Sequence, residues 1–346
     1  MVRLFGKIIL IAALTIGLLS CGSPHEQSHR LYPVAVDGKF GYIDETGKVV
    51  ISPQFDLASD FSEGLAWICV GFGNGAKFGY IDASGKYVIP PEFDNAGNFF
   101  DGRARVGRMN GQQDQKFGYI DKTGAVVINI EYDRAYDFSD GLAFVQNSAR
   151  VGYIDRSGKF VIENRGAGNF SDGLAPVANG TGGKFSYIDK QGRTIIPEQF
   201  EWAMPFSEGF GCVSNADGLW GYINKKGESV FKPQYEEAGD FSEGLAWVQN
   251  KQGFGFIDMS GKYAIQPKFS NAGQSLQSKG FSEGLALVVI DGLYGFIDKS
   301  GKVMIEPKFH GASDFRGGIA QVKLDSHGTF GYIDKSARFI WSPLKK

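Results

Sequence analysis

The chain has 346 residues, 42% hydrophobic and 14% aromatic, so there is enough apolar material for a large core. A formal charge of −2 and the lack of any basic face exclude a nucleic-acid surface. The 49 glycines fall in turn strings between short apolar runs, which marks a turn-rich β chain and not a disordered one.

Residues 1–20 read as a signal peptide. Arg3 and Lys7 flank the start of an apolar run from Ile8 to Leu19. That run falls short of the roughly 20 residues a membrane-spanning helix needs, and it suits a signal peptide. Cys21 follows Leu18-Leu19-Ser20 directly, and this string resembles the lipobox of bacterial lipoproteins. The resemblance implies cleavage before Cys21 and lipid attachment to it. The expected location is therefore the bacterial cell envelope, anchored to a membrane by lipid, the outer membrane if the source has one. Residues 21–30 are polar and contain Pro24, and read as a flexible tether. His25 and His29 lie in it without further ligands nearby, so they read as solvated linker residues and not as a metal pair.

From Leu31 onward the chain repeats itself, and residues 31–346 read as one domain. A Gly-Tyr-Ile-Asp string or close variant begins at Gly41, Gly79, Gly118, Gly152, Ser186, Gly221, Gly255, Gly295 and Gly331, at spacings of 34 to 40 residues. Such a period marks stacked or radially arranged units. In the second unit, Phe78 to Ile81 alternates as a strand, Asp82-Ala83-Ser84-Gly85 supplies a turn, and Lys86 to Ile89 returns. Pro53, Pro91, Pro197, Pro233, Pro267 and Pro307 follow the hairpins and are expected to end the returning strand.

Strings of the Phe-Ser-Glu-Gly-Leu-Ala type begin at Phe61, Phe99, Phe138, Phe170, Phe206, Phe241, Phe281 and Phe315. Each reads as a turn leading into a third strand, such as Leu245 to Val248, that pairs with the next Gly-Tyr-Ile-Asp strand. A glycine inside a strand is costly, so its recurrence implies that something approaches the backbone there. The small residues Ala35, Ala66, Ala104 and their counterparts are expected to share that slot, filled by an aromatic from a neighbouring unit. The result is an all-β fold of nine units with three strands each, a tandem β-hairpin repeat array. No unit is split between the termini, so an open, twisted array is expected, with a closed propeller-like ring as the alternative.

The repeat resembles the WG-repeat family of bacterial proteins, through Trp220-Gly221-Tyr222-Ile223-Asn224, the Pro-x-Phe strings and the Phe-Ser-Glu-Gly-Leu-Ala strings. Most units carry Phe where the family has Trp, as at Phe40-Gly41, and Asn224 replaces the usual Asp. The resemblance implies a β-rich interaction module with no shared catalytic residues.

The chain shows no metalloprotease, nucleophile-elbow or phosphate-loop string, and the repeated Asp residues carry a turn signature, not converging calcium ligands. No catalytic residue, metal set or cofactor is expected, and Cys69 and Cys212 read as unpaired. Trp67 and Trp247 read as packing residues. Trp202, before Ala203-Met204-Pro205, reads as an exposed aromatic on a loop and is the one named binding candidate. The connections that precede the Gly-Tyr-Ile-Asp strands vary most, as Val70 to Ala76 and Gly107 to Asp114 show. Recognition is expected there. The sequence therefore points to a non-enzymatic, envelope-anchored scaffold for a protein partner, with a glycan-binding module of the cell surface as the alternative.

Overall fold

The computed structural model describes residues 30–111, 114–163, 166, 168–178, 183–269, 280–326 and 329–343. Cys21 and its tether lie outside them. The described residues form nine antiparallel sheets in sequence, which are the blades of a propeller. The strands of a blade are called a to d in chain order. In the second blade they are Leu57–Ala58, Ala66–Val70, Lys77–Ile81 and Tyr87–Phe93. The b and c strands pair as the repeats required, with Ala66 opposite Ile81 and Ile68 opposite Gly79.

Three strands per unit proves to be one too few in seven of the nine sheets. The additional a strand is short, often two residues, and lies between the end of the d strand and the Ser-Glu-Gly turn. Leu57 pairs with Cys69 and Ala58 with Ile68. So brief a ladder carries no alternation that a sequence pattern can show.

The repeated proline does not end the returning strand. Pro53 lies within Val49–Phe55, and Pro91 within Tyr87–Phe93. In seven blades the d strand bulges there: Tyr42 pairs with Ile51, but Phe40, two residues away, pairs with Phe55. The bulge explains the recurring glycine. A Cβ on Gly41 would lie 2.4 Å from the Ile51 carbonyl oxygen and 2.6 Å from the Pro53 nitrogen, and Gly79, Gly221 and Gly255 meet the same backbone in their own blades. The approach comes from the blade's own outer strand, and not from a neighbour's aromatic ring as expected. Proline fits the outer edge because no ladder needs its missing N–H.

The small b-strand residue has a separate role: it faces the preceding blade. Ala66 is fully buried beside Tyr42, Ile51 and Phe55. Nine apolar clusters of this kind each join two successive blades, and the ninth joins the last blade to the first. The chain is thus a closed nine-bladed ring, the alternative reading, and not the open array. The absence of a shared blade among the described residues does not prevent closure, because side chains seal the ring.

Eight of the nine interfaces hold one contact in common. The aromatic ring of a c strand meets the edge of the Phe that opens the next Ser-Glu-Gly turn, with centroids 4.8 to 5.1 Å apart, as in Tyr42–Phe61 and Phe296–Phe315. Where the ring is a tyrosine, its hydroxyl donates to a carbonyl of the next a segment: Tyr42 to Ser59 and Tyr222 to Gly239. The turns interlock as well. The Ser62 hydroxyl donates to the Phe99 carbonyl, and Glu63 accepts from Gly102 N–H. Glu63 holds φ +52° and Gly64 +88°, the two positive angles of a tight two-residue hairpin turn. Strain at a non-glycine residue is offset by the bonds its carboxylate makes to the next blade.

The last interface departs from this pattern. Pairing places Tyr32, and not Ala35, opposite Ile43, where seven of the other blades have alanine and the sixth has Gly211. The Tyr32 ring meets Tyr332 at 5.7 Å, in the role the turn Phe has elsewhere. Its hydroxyl donates to the carbonyls of Arg316 and Gly317, and Tyr332 donates to the Pro33 carbonyl. Gly317 stands where other turns have Glu or Asp, and a Cβ there would lie 2.2 Å from the Tyr32 hydroxyl. Tyr32 and Gly317 are therefore a matched pair at the seam.

Gly255→Ala places a Cβ 2.5 Å from the Ile265 carbonyl oxygen, and the expected cost is about 1–3 kcal/mol. Gly253 is no control for it, since it holds φ +128° and faces Phe269. Gly75→Ala meets nothing within 4 Å and should leave the melting temperature nearly unchanged. Equal melting temperatures for the two variants would remove the bulge explanation. At the seam, Tyr32→Ala is expected to cost about 3–5 kcal/mol in denaturant unfolding. Tyr32→Phe keeps the ring and should cost about 0.5–1.5 kcal/mol. Wild-type stability in Tyr32→Ala would place closure elsewhere.

Candidate interaction face

The Ser-Glu-Gly turns and the Asp-x-x-Gly turns lie at one end of the ring, and the b–c connections at the other. The turn end is built for structure. Asp82 Oδ1 accepts from the Ser84 hydroxyl and from the N–H groups of Ser84 and Lys86, and Asp121, Asp258, Asp298 and Asp334 repeat the arrangement. The Ser84 hydroxyl and these N–H groups hold the Asp82 carboxyl below its ordinary range. The oxygens serve the turn, which is the reading the sequence favoured over calcium. Among the described residues, no group of three His, Cys, Asp or Glu side chains has metal-site geometry. Lys122, Lys225, Lys299 and Lys335 each reach back to the preceding blade's turn, where they bond the carbonyls of Glu63, Asp172, Glu243 and Glu283.

The opposite end varies from blade to blade. In the first and eighth blades two-residue Asp-Gly turns, Asp37-Gly38 and Asp291-Gly292, join b to c with positive φ at both positions. The second blade spends six residues there, including a short 3-10 turn at Gly73–Gly75. That loop carries Phe72, 74% exposed, with the Lys39 ammonium 6.0 Å from its ring. Lys39 also donates to Asp56 at 2.6 Å. This bond, together with one from Gly71 N–H, holds the Asp56 carboxyl below its ordinary range. The Phe72 loop is thus fixed at its base and open at its tip.

Trp202 is at the same end and is 63% exposed, as the sequence indicated. It does not lie on a loop: it opens the a strand Trp202–Ala203 of the sixth blade, opposite Ser214, with its ring 5.7 Å from that of Phe185. Trp67 and Trp247, read as packing residues, sit half-buried against Phe78 and Phe254. Phe72 was not singled out by sequence reasoning. Its signal was a lone large apolar residue among glycines. Cys69 and Cys212 are buried and unpaired, in the second and sixth blades.

Burial pushes the Cys212 thiol well above its ordinary range, which leaves it a poor nucleophile. Arg105 and Asp137 meet at 3.6 Å between the third and fourth blades, and burial raises the Asp137 carboxyl against the pull of Arg105. This pair bridges two blades.

A cavity of about 940 Å³ lies beside the first blade. Its walls include Ala58, Asp60 and Phe61 of the second blade and Gly311 and Ala312 of the ninth. Tyr32 and Phe40 of the first blade, Asn98 and Phe100 of the third and Tyr294 of the eighth line it as well, so it spans five blades.

No curated protein matches the chain. Among solved structures it is similar to BamB from Moraxella catarrhalis, with 15% identity, 79% of this chain and 94% of that chain covered, and a TM-score of 0.39. It is also similar to virginiamycin B lyase from Staphylococcus aureus, with 15% identity, 70% and 89% covered, and a TM-score of 0.35. A third likeness is to Hsv2 from Kluyvelomyces marxianus, with 10% identity, 67% and 88% covered, and a TM-score of 0.39. The family match is of another order: eight consecutive stretches, 40–71, 78–111, 117–148, 152–181, 185–219, 220–252, 254–294 and 294–326, fit the WG containing repeat. With that match over most of its length, the chain belongs to the WG containing repeat family.

Proposed function

We propose that this protein is a non-enzymatic interaction scaffold of the bacterial envelope, held at a membrane by lipid on Cys21, that meets a protein partner with its b–c face. The observation that carries the reading is the contrast between the two ends of the ring. The turn end repeats one set of bonds in blade after blade, whereas the b–c end changes length and composition and carries Phe72 and Trp202 in the open. A rigid frame with one variable edge is how repeat folds present recognition. A protein partner fits scattered aromatic anchors, which act as hot spots when a partner buries them. Trp202 also supports a second reading, a glycan stacked on the indole, because its face is the most exposed tryptophan surface described.

Site-specific photo-cross-linkers in cells provide the test. Probes at Phe72 and Trp202 are expected to give protein adducts, and a probe at Tyr87 on the outer strand is not. Adducts from Tyr87 alone would overturn the choice of face. A glycan array that retains the protein, and loses it with Trp202→Ala, would favour the second reading. For the anchor, Cys21→Ser should move the protein from the membrane fraction to the soluble fraction or leave it uncleaved, because stable anchoring takes more than one acyl chain. Wild-type protein that is wholly soluble, with no lipid by mass spectrometry, would contradict the anchor.

A further inference from the structure

Each d strand has a strand partner on one side only among the described residues. Such an edge offers N–H and C=O groups to any extended chain, and proline is a common guard against that pairing. Seven d strands are seven residues long, and six of them contain proline: Pro53, Pro91, Pro197, Pro233, Pro267 and Pro307. The seventh, Val126–Tyr132 of the third blade, contains none, and Ile130 stands where five of the six have it. The d strands of the fourth and ninth blades, Phe160–Glu163 and Phe339–Trp341, also lack proline but are four and three residues long.

The bulge does not require the proline. In the third blade Tyr119 pairs with Ile128 and Phe117 with Tyr132, the same register as Tyr42 with Ile51 and Phe40 with Phe55. A Cβ on Gly118 would lie 2.6 Å from the Ile128 carbonyl oxygen, the close approach seen in the other blades. What the proline removes is an N–H that the ladder does not use, since proline on an edge strand turns its nitrogen to solvent. Ile130 restores that N–H, and no c-strand residue pairs with Ile130. The strand around it suits pairing. Val126, Val127, Ile128 and Ile130 are β-branched, Val126 is 45% exposed, and Asn129 and Glu131 are exposed. Glu131 is the one charged residue of the seven. Residues 114–163, which hold this strand and the whole fourth blade, are described without a gap.

We propose that the outer edge of the third blade is an acceptor for an extended segment of a partner protein, which adds to Val126–Tyr132 as a fifth strand. A second copy of the ring fits less well. The outer wall is convex, so two rings would meet along one strand, short of the roughly 1,200 Å² of a stable interface. The chemistry of the segment follows from the edge: β-branched residues beside Val126 and Val127, and Lys or Arg where it passes Glu131. Backbone pairing supplies affinity, and these side chains supply selection. The edge lies on the outer wall and not on the b–c face, so the inference goes beyond the scaffold reading and stands apart from Phe72 and Trp202.

The test uses the whole protein and the fluorescent peptide Thr-Lys-Val-Thr-Val-Lys-Thr, which brings a lysine to Glu131 in either strand direction. Saturable binding by anisotropy is expected. Ile130→Pro installs the residue that five other blades carry, so the melting temperature should hold while binding falls about five- to tenfold. Glu131→Lys leaves the backbone alone and should weaken binding about threefold. A photo-cross-linker at Asn129 should capture the peptide, and one at Ser52, beside Pro53 on the first blade, should not. No saturation at millimolar peptide, equal binding by Ile130→Pro and wild type, or equal capture at Ser52 overturns the proposal. So does protection of the Ile130 amide from hydrogen exchange in the free protein, because the N–H would then serve the blade itself. Cross-linking at Phe72 reads the scaffold function independently of this edge, so the two failures are distinguishable.

Discussion

Eight of the nine interfaces in this ring depend on the edge of one aromatic ring meeting the face of another. The c strand supplies Tyr or Phe, the next turn supplies Phe, and the pair is buried between sheets that share no backbone ladder. Each such pair contributes about 0.5–1.5 kcal/mol beyond the area it buries. Placement follows from the chain. The turn Phe is fixed by a two-residue hairpin with two positive φ angles, and the c-strand ring is fixed by a glycine that lets the outer strand bulge close behind it. Glycine, proline, turn and aromatic pair are therefore parts of one device, repeated with small changes around the ring.

Closure reuses that device with different residues. The first blade has no Ser-Glu-Gly turn among the described residues, so no turn Phe is available to Tyr332. Tyr32 moves a ring into the same space from the b strand, and the loss of a side chain at Gly317 admits its hydroxyl. Burial pushes the Tyr32 hydroxyl up to about 12, so it stays a donor to Arg316 and Gly317 over the whole physiological range. Among the described residues the first blade has three strands, where seven of the other sheets have four. Closure is thus made by side chains of one irregular blade.

Much of this was legible in the residues and some was not. The period, the b–c pairing and the turns followed from alternation and turn chemistry, whereas Trp202 is exposed on a short strand and not on the loop from which its exposure was read. The a strand was not legible, because a two-residue ladder at Leu57–Ala58 has no period to detect. The recurring glycine announced a close approach but not its source, since a bulge moves partners out of the simple register on which the slot argument relied. Closure was missed for a related reason. The first b strand was aligned three residues out of register, with Ala35 set against Ala66, so the replacement of alanine by Tyr32 was hidden. Gly317 stood in plain view as a departure from the Glu or Asp of the other turns, and its meaning needed the ring. The lipid site at Cys21 lies outside the described residues, where only its resemblance to a lipobox speaks.

The central claim is that nine blades close on themselves through the Tyr32 seam. Small-angle scattering of residues 31–346 tests it most directly. A closed ring predicts a compact particle with a radius of gyration near the roughly 20 Å of a folded chain of that length. An elongated profile, with a maximum dimension set by nine units stacked in a line, would contradict it.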